Sequence, residues 1–536
     1  MQPLPVLPDD YYLTNFHKLL SHALEWYADL LRPAELEWCH DFHRLSHDAQ
    51  CMLVRLLSRK GQWFRSDKLN YAEISHQANA LNELARAGFI SLNPELDAVV
   101  VARELLTKAD IVTLYPQLGR SLRKPQLIEA LKVAPIENVP ELSFDIIHLN
   151  QSDIIELLLI LFFANTRQTF AQFVLDDLGL NNFESYPLSK ERRFFQTRQQ
   201  VDHLFVLRRI QAHYDAHPKP DETMLDKLLS QLPQPGIHAY IERRRQHQLN
   251  QIARDYERQQ CLDKALAIYQ QTEVIPSRER QARIYEKLEQ TQPMRDVVET
   301  MFAQPLNYSE YEIALKLHKR LLRLEGHKVA RESKPVYPTR QLQLDLTQQR
   351  VELAVKQQLE SEGYQVYYLE NQFLNTLFGL TFWDAIFAPV EGAFINRYQY
   401  RPLDLYHSDF VSKRKFWIEQ AITRLRNEGV MPLWALWQTK FSLANPFVFW
   451  AGWDKTLFEL TDQCIEPDIL AGLFEIMLSD LKLYRNGMPD LIAFKEGQFE
   501  WIEVKGPGDK LQDNQWRWMA RFEQLKVPFS VCYVNH

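Results

Sequence analysis

At 536 residues the chain is too long for one hydrophobic core, and 46% hydrophobic with 24% charged residues excludes a collagen-like or largely disordered polypeptide. A formal net charge of −7 removes any overall positive field, although a local basic surface is enough to hold a phosphate backbone. The scattered Cys39, Cys51, Cys261, Cys464 and Cys532 contain no CxxC pair, so no zinc finger is predicted, and with no apolar leader or membrane-length apolar span the expectation is an intracellular, soluble protein.

Residues 1–100 read as a helical region resembling a winged helix. The periodicity predicts helices over Gln50–Leu57 and Ala78–Ala87, the second closed by Gly88 and followed by the strand-like Phe89-Ile90. Between them Arg59-Lys60-Gly61-Gln62-Trp63-Phe64-Arg65 is a basic, aromatic patch in which Arg59, Lys60 and Arg65 are candidates for phosphate contacts. Residues 101–236 begin with two short amphipathic helices around Leu105–Ile111 and Lys124–Leu131, an arrangement that resembles a SAP module, a small helix-loop-helix DNA binder. Arg123 and Lys124 fall at the start of the second helix, where backbone N–H groups already favour an anion.

Asp153–Leu178 is apolar and helix-rich, and beyond it Arg192 and Arg193, next to Phe194 and Phe195, suit a groove that tracks a nucleic-acid backbone. The Pro-rich Pro218–Pro235 is expected to include a linker. From 237 to 335 helix follows helix. Tyr256-Glu257 with Ala265-Leu266 is matched one repeat later by Leu288-Glu289 with Val297-Val298, a spacing near that of a tetratricopeptide unit, and Lys334–Pro338 breaks the helices.

Residues 336–536 form the last region. A helix over Gln349–Glu362 ends at Gly363, the strand-like Tyr364–Leu369 follows, and Glu370 precedes an apolar helix. Phe394-Ile395-Asn396-Arg397-Tyr398-Gln399-Tyr400-Arg401-Pro402-Leu403-Asp404-Leu405 has neither a helix nor a strand period, and Phe410–Leu483 is again helical. Near the end, Leu491–Phe494 and Phe499–Val504 read as the strands of a hairpin around Lys495-Glu496-Gly497-Gln498. Asp490 opens the first strand. Period-two alternation sends Glu503 and Lys505 to one face and Val504 to the other, so two carboxylates and an ammonium converge, a donor set suited to a hard divalent cation. A helix over Asp513–Leu525 carries Gln515, Trp516 and Arg517, and a strand from Phe529 ends the chain.

The ordered string Pro489-Asp490, then Glu503-Val504-Lys505-Gly506-Pro507, resembles the PD-(D/E)XK nuclease core in its virus-type replication-repair (VRR-NUC) version. The segment Phe394–Leu405 is similar to a string of the Fanconi-associated nuclease family, which narrows the match. The resemblance implies a multidomain, mainly α protein: a helical DNA-binding N-terminal region with a SAP-like part, a tetratricopeptide-like layer, and a C-terminal α/β restriction-endonuclease-like core with a helical insertion. It implies catalysis by Asp490, Glu503, Lys505 and Glu370. Mn2+ or Mg2+, two ions, would be held by Glu370, Asp490, Glu503 and the main chain of Val504. Lys510 and Arg517 lie where they would reach DNA.

Members resembling this chain cut DNA near 5′ flaps and trim 5′ to 3′ in interstrand-crosslink repair, which implies branched or 5′-flap DNA as partner and a place with the chromosome, the bacterial cytoplasm and nucleoid. A ubiquitin-binding zinc finger is not carried over, because no Cys/His cluster exists. Two alternatives stay open here, a Holliday-junction resolvase or restriction-like nuclease, and a non-catalytic DNA-binding adaptor.

Overall fold

A computed structural model describes residues 8–133, 141–164, 182–330, 336–347 and 349–535. It divides into two compact units, Met1–Leu180 with Phe195–Arg208, and Asn181–Phe194 with Arg209–His536.

In the first unit the helices Tyr11–Tyr27, Pro33–Arg44 and His47–Leu57 bury an apolar stripe that includes Phe16, Phe42 and Leu53. Ser46 caps the third, and Gln77–Arg86 ends at Gly88, whose φ of +80° suits a residue without a Cβ and turns the chain into a strand. That strand belongs to an antiparallel sheet in the order β1 (Trp63–Arg65), β3 (Ile146–Leu149), β2 (Ile90–Leu92). The boundary expected at residue 100 therefore runs through this sheet, whose central strand arrives last. Sequence patterns show a strand but not its neighbour.

Where the SAP-like segment was expected, the first helix runs over Lys108–Leu114, three residues later than the expected Leu105–Ile111 because the Thr107/Asp110 capping box sets its start, and the second over Lys124–Val133; Ile111, Leu127 and Leu131 share a core with Val101 and with Ile146 of β3. Of the apolar stretch expected over Asp153–Leu178, Ile154–Phe163 is a buried helix ending at Ala164, and the remainder lies outside the described residues.

The second unit holds the helical layer and the last region. The Pro-rich segment contains a helix, Glu222–Gln231, capped by Asp221 and packed through Leu225 and Leu228, where a linker was expected. Ala239–Arg258 and Leu262–Tyr269 form one helical hairpin, and Ser277–Lys287 and Thr291–Ala303 the next, followed by Tyr308–Leu324. The repeat is real, but its register is not the one read from the sequence. Both hairpins turn at a residue with positive φ, Gln260 and Glu289, each followed by an N–H donated back to a tyrosine carbonyl, Tyr256 and Tyr285. Tyr256 thus corresponds to Tyr285, not Leu288, because the turn, not the apolar count, sets the phase. Of the break expected over Lys334–Pro338, residues 336–338 carry no helix, and the rest lies outside the described residues.

The last region is a five-stranded mixed sheet in the order β4 (Thr339–Gln343), β8 (Phe529–Asn535), β7 (Gln498–Lys505), β6 (Leu491–Lys495), β5 (Gln365–Tyr368). β8 runs parallel to both neighbours, and β5, β6 and β7 are antiparallel. Val355 and Leu359 of the helix Val351–Ser361 cover one face at Leu491, Ile502 and Val504. Phe373 and Leu377 of the helix Phe373–Thr381, and Trp518 and Phe522 of the helix Asp513–Leu525, cover the other at Ile492 and Trp501. Burial of both faces explains why these strands read as continuous apolar runs. The insertion is helical over Lys415–Glu428, Met431–Thr439, Lys455–Cys464 and Pro467–Ser479 and shares the second core. Among the described residues no helix is long and apolar enough to cross a membrane.

Candidate active site

The site is assembled by the β6–β7 hairpin. Lys495 pairs with Gln498 across a two-residue turn in which Glu496 and Gly497 both have positive φ, +51° and +77°, the turn whose twist matches that of the strands. The turn sets the register: Leu491 faces Ile502 and Ile492 faces Trp501, so Asp490, one residue earlier, falls opposite Glu503. Asp490 is 8% exposed, Glu503 1% and Lys505 7%. Asp490 Oδ2 accepts the Val504 N–H at 2.8 Å, which ties the end of β6 to β7. Lys505 Nζ stands 2.9 Å from Glu503 Oε1, and Gln515 Nε2 of the last helix donates to the same oxygen. Glu503 Oε2 is buried and accepts no hydrogen bond.

Such an arrangement is costly without a cation. Burial pushes the Asp490 carboxyl up to about 6, the Glu370 and Glu352 charges add to it, and the Val504 N–H and Lys505 oppose it. Glu503 is pushed up to about 8, first by burial and then by Asp490, with Lys505 opposing. Two buried acids held side by side, one with an orphaned oxygen, fit a divalent cation, which replaces the missing hydrogen bond and cancels the repulsion.

Glu370 occupies the turn between β5 and the helix Phe373–Thr381. It is solvent-exposed, its charge acts on both Asp490 and Glu503, and Asn371 Nδ2 donates to its Oε1 at 3.0 Å. Among the described residues no three His, Cys, Asp or Glu side chains form a ready-made metal cluster. Sequence reading passed over Asn371, whose φ is +54° and whose Oδ1 accepts the Met488 N–H at 3.0 Å, joining the Glu370 turn to the segment leading into Asp490. An Asn directly after the acid was the available signal, since Asn tolerates that backbone conformation.

Gly487 lies on the same segment with φ +91°, and a Cβ there would fall 2.8 Å from the Asn514 backbone. Gly487→Ala is therefore expected to cost at least about 1–2 kcal/mol in backbone strain alone and to displace Asp490. A lowered unfolding midpoint together with a reduced kcat, checked by thermal melts and flap digests, is the expected result.

The residues proposed for DNA contact divide. Arg59, Lys60, Arg123, Arg192 and Lys510 are exposed, and Lys124, half-buried, donates to the Arg103 carbonyl. Three expectations are corrected. Arg193 is only 9% exposed, so it presents little of its charge at the surface. Arg517 is committed to Glu312 through two hydrogen bonds of 2.8 and 2.9 Å, linking the last helix to Tyr308–Leu324, and only 14% of its side chain is exposed. Arg65 is likewise spent, on Asp67 and Asp110.

Comparison with known proteins agrees with this geometry. The "FAN1, HTH domain" family matches residues 10–91 and the "VRR-NUC domain" family residues 431–536. The chain is 34% identical to the Fanconi-associated nuclease 1 homolog of Pseudomonas aeruginosa, over 99% of this chain and 98% of that one.

The chain belongs to the Fanconi-associated nuclease family.

As a Fanconi-associated nuclease it is an enzyme that hydrolyses DNA, with a structure-selective and divalent-metal-dependent activity. The human Fanconi-associated nuclease 1 is 23% identical over 98% of this chain but 62% of its own length. A crystal structure of paFAN1 bound to 2nt 5′flap DNA with gap superposes with a TM-score of 0.83 at 33% identity, covering 99% of both chains, and a second with 1nt 5′flap DNA gives 0.81, covering 98% of this chain and 99% of that one. The order expected from the sequence, helical N-terminal region, helical middle and C-terminal nuclease core, is that of these relatives.

Proposed function

We propose that this nuclease cuts DNA near 5′ flaps and trims 5′ to 3′ in the repair of interstrand crosslinks, acting on chromosomal DNA inside the cell. The observation that carries the reading is the buried Asp490–Glu503–Lys505 group in a chain whose 33%-identical structural relatives hold 5′-flap DNA. Asp490, Glu503, the Val504 carbonyl and Glu370 would hold Mg2+ or Mn2+, two ions. When bound, the metal supplies Lewis-acid stabilisation of charge on the phosphate and lowers the pKa of a bound water.

The chain's own groups do the rest. Asp490 and Glu503 orient the site from opposing strands, and the Val504 N–H fixes the Asp490 carboxylate. Gln515 and Lys505 fix Glu503. Lys505, anchored at 2.9 Å, positions the attacking water and offsets the charge that grows as a P–O bond to water forms and a bridging P–O bond breaks. The water's proton leaves to solvent and the leaving oxygen gains one. No side chain is covalently modified.

Substrate choice falls to basic surfaces that take no part in this chemistry: Arg59, Lys60, Arg123, Lys124, Arg192 and Lys510 are proposed to meet phosphates. The test is a digest of end-labelled 5′-flap, 3′-flap, four-way-junction and duplex DNA with Mg2+ or Mn2+. The 5′ flap is expected to be cut fastest. Four-way junctions resolved best, by paired symmetrical nicks, would replace this reading with a resolvase.

A further inference from the structure

The string Asn396–Arg401 shows no period because it is a loop, and its inward polar groups are spent on fixing its shape. The N–H groups of Ile395 and Asn396 donate to Gln399 Oε1, and the Tyr398 N–H donates to Asn396 Oδ1 at 2.7 Å. From beneath, the buried Tyr186 hydroxyl donates to the Asn396 carbonyl and accepts the Gln399 N–H. Leu403 N–H closes the base onto the Ala393 carbonyl, and the exit is pinned by the buried Asp404–Arg414 pair, with two bonds of 2.7 and 2.9 Å.

The outward groups are of a different kind. Arg397 is exposed, and Tyr398 and Tyr400 are 37% and 45% exposed. Arg401 lies 5.4 Å from the centre of the Tyr406 ring and 5.3 Å from that of Tyr400. Arg485 lies over the same Tyr406 ring at 5.6 Å and donates to its hydroxyl. Two guanidinium groups share one ring, and neither has a carboxylate partner within the second unit among the described residues, unlike Arg414 or Arg517. Like charges brought together without a counter-ion repel, and an arriving anion relieves that cost.

The cluster is tied to the acids. The Arg485 carbonyl accepts Asn375 Nδ2 at 2.8 Å, from the helix that follows Glu370, and Asn371 links Glu370 to Met488 on the segment that runs from Arg485 into Asp490. Resting on the reading of the chain as a flap nuclease, we propose that Arg397, Arg401 and Arg485 form a clamp for the phosphate backbone of the strand being cut. Arg forks match phosphate oxygens in pairs, and the exposed faces of Tyr398 and Tyr400 offer stacking for an unpaired base.

The test is a salt titration of 5′-flap DNA binding by the full chain carrying Asp490→Asn, alone and with Arg401→Gln and Arg485→Gln together. The double Gln change is expected to weaken binding on the order of tenfold or more at moderate salt and to flatten the log K against log salt slope by about two, one for each lost phosphate contact. Arg401→Lys with Arg485→Lys should keep most of the slope, because the charge remains. An unchanged slope in the Gln variant overturns the clamp, as does a Lys variant that loses the slope as fully as Gln does, which would make the arginines packing groups for Tyr406. Those results leave the nuclease reading standing if the unmodified chain still cuts flaps. Failure of the unmodified chain to cut flap DNA removes that reading, and the clamp with it.

Discussion

Asp490→Asn is expected to lower cleavage by about 10³-fold or more while leaving affinity for flap DNA within a few-fold, and to make the metal-free protein more stable. The loss follows from position. Asp490 faces Glu503 across the hairpin and stands between it and the Glu370 turn, so removing its charge removes the centre of the anionic set. Affinity survives because phosphate contacts elsewhere set it. The gain in stability follows from sign. Asp490 and Glu503 are raised from ordinary values of 3.8 and 4.5 to about 6 and about 8, so the folded state binds protons more tightly than the unfolded chain. Stability therefore falls as pH rises from about 4 to 8. An Asn cannot ionise, yet its Oδ1 still accepts the Val504 N–H. On the order of 3 kcal/mol is recovered at pH 8, from roughly two pKa units at about 1.4 kcal/mol each. Thermal melts of wild type and variant in chelator, at pH 5 and pH 8, check this. A variant no more stable than wild type at pH 8 would mean the acids are not strained in the metal-free state.

Chelation is expected to abolish cleavage, and Ca2+ to restore DNA binding with at least about 10²-fold slower cutting than Mg2+ or Mn2+. Ca2+ takes longer, looser oxygen coordination and lowers the pKa of a bound water less. The Glu503 carboxyl at about 8 adds a pH signature: a metal that binds the ionised acid must displace its proton, so the Mn2+ concentration giving half-maximal cleavage should fall steeply from pH 6 to pH 8. Manganese titrations at pH 6, 7 and 8 measure it. Cleavage that persists in excess chelator would remove the metal from the reaction.

The hairpin chemistry was legible because it is local. A Glu-Val-Lys run in a strand must put its two charged residues on one face, and a Glu-Gly turn of two residues admits one register, so the meeting of Asp490, Glu503 and Lys505 follows from neighbours within fifteen residues of chain. The helix Asp513–Leu525 was legible for the same reason, since its apolar stripe and its turn into the strand lie within it. The family strings added the identity of the chemistry, which periodicity does not carry.

What the tertiary structure alone decided is which charges are already spent. Arg517, Arg65 and Arg193 look in the sequence like Arg397, Arg401 and Arg485. The fold pairs Arg517 with Glu312 and Arg65 with Asp110, buries Arg193, and leaves two of the last three stacked on Tyr406. An arginine's valence is written in the sequence, but its partner lies tens to hundreds of residues away and is brought up only when the cores close. The phase of the helical repeat and the place of β3 are undetermined locally for the same reason: several pairings bury the same apolar residues, and the packed whole selects one.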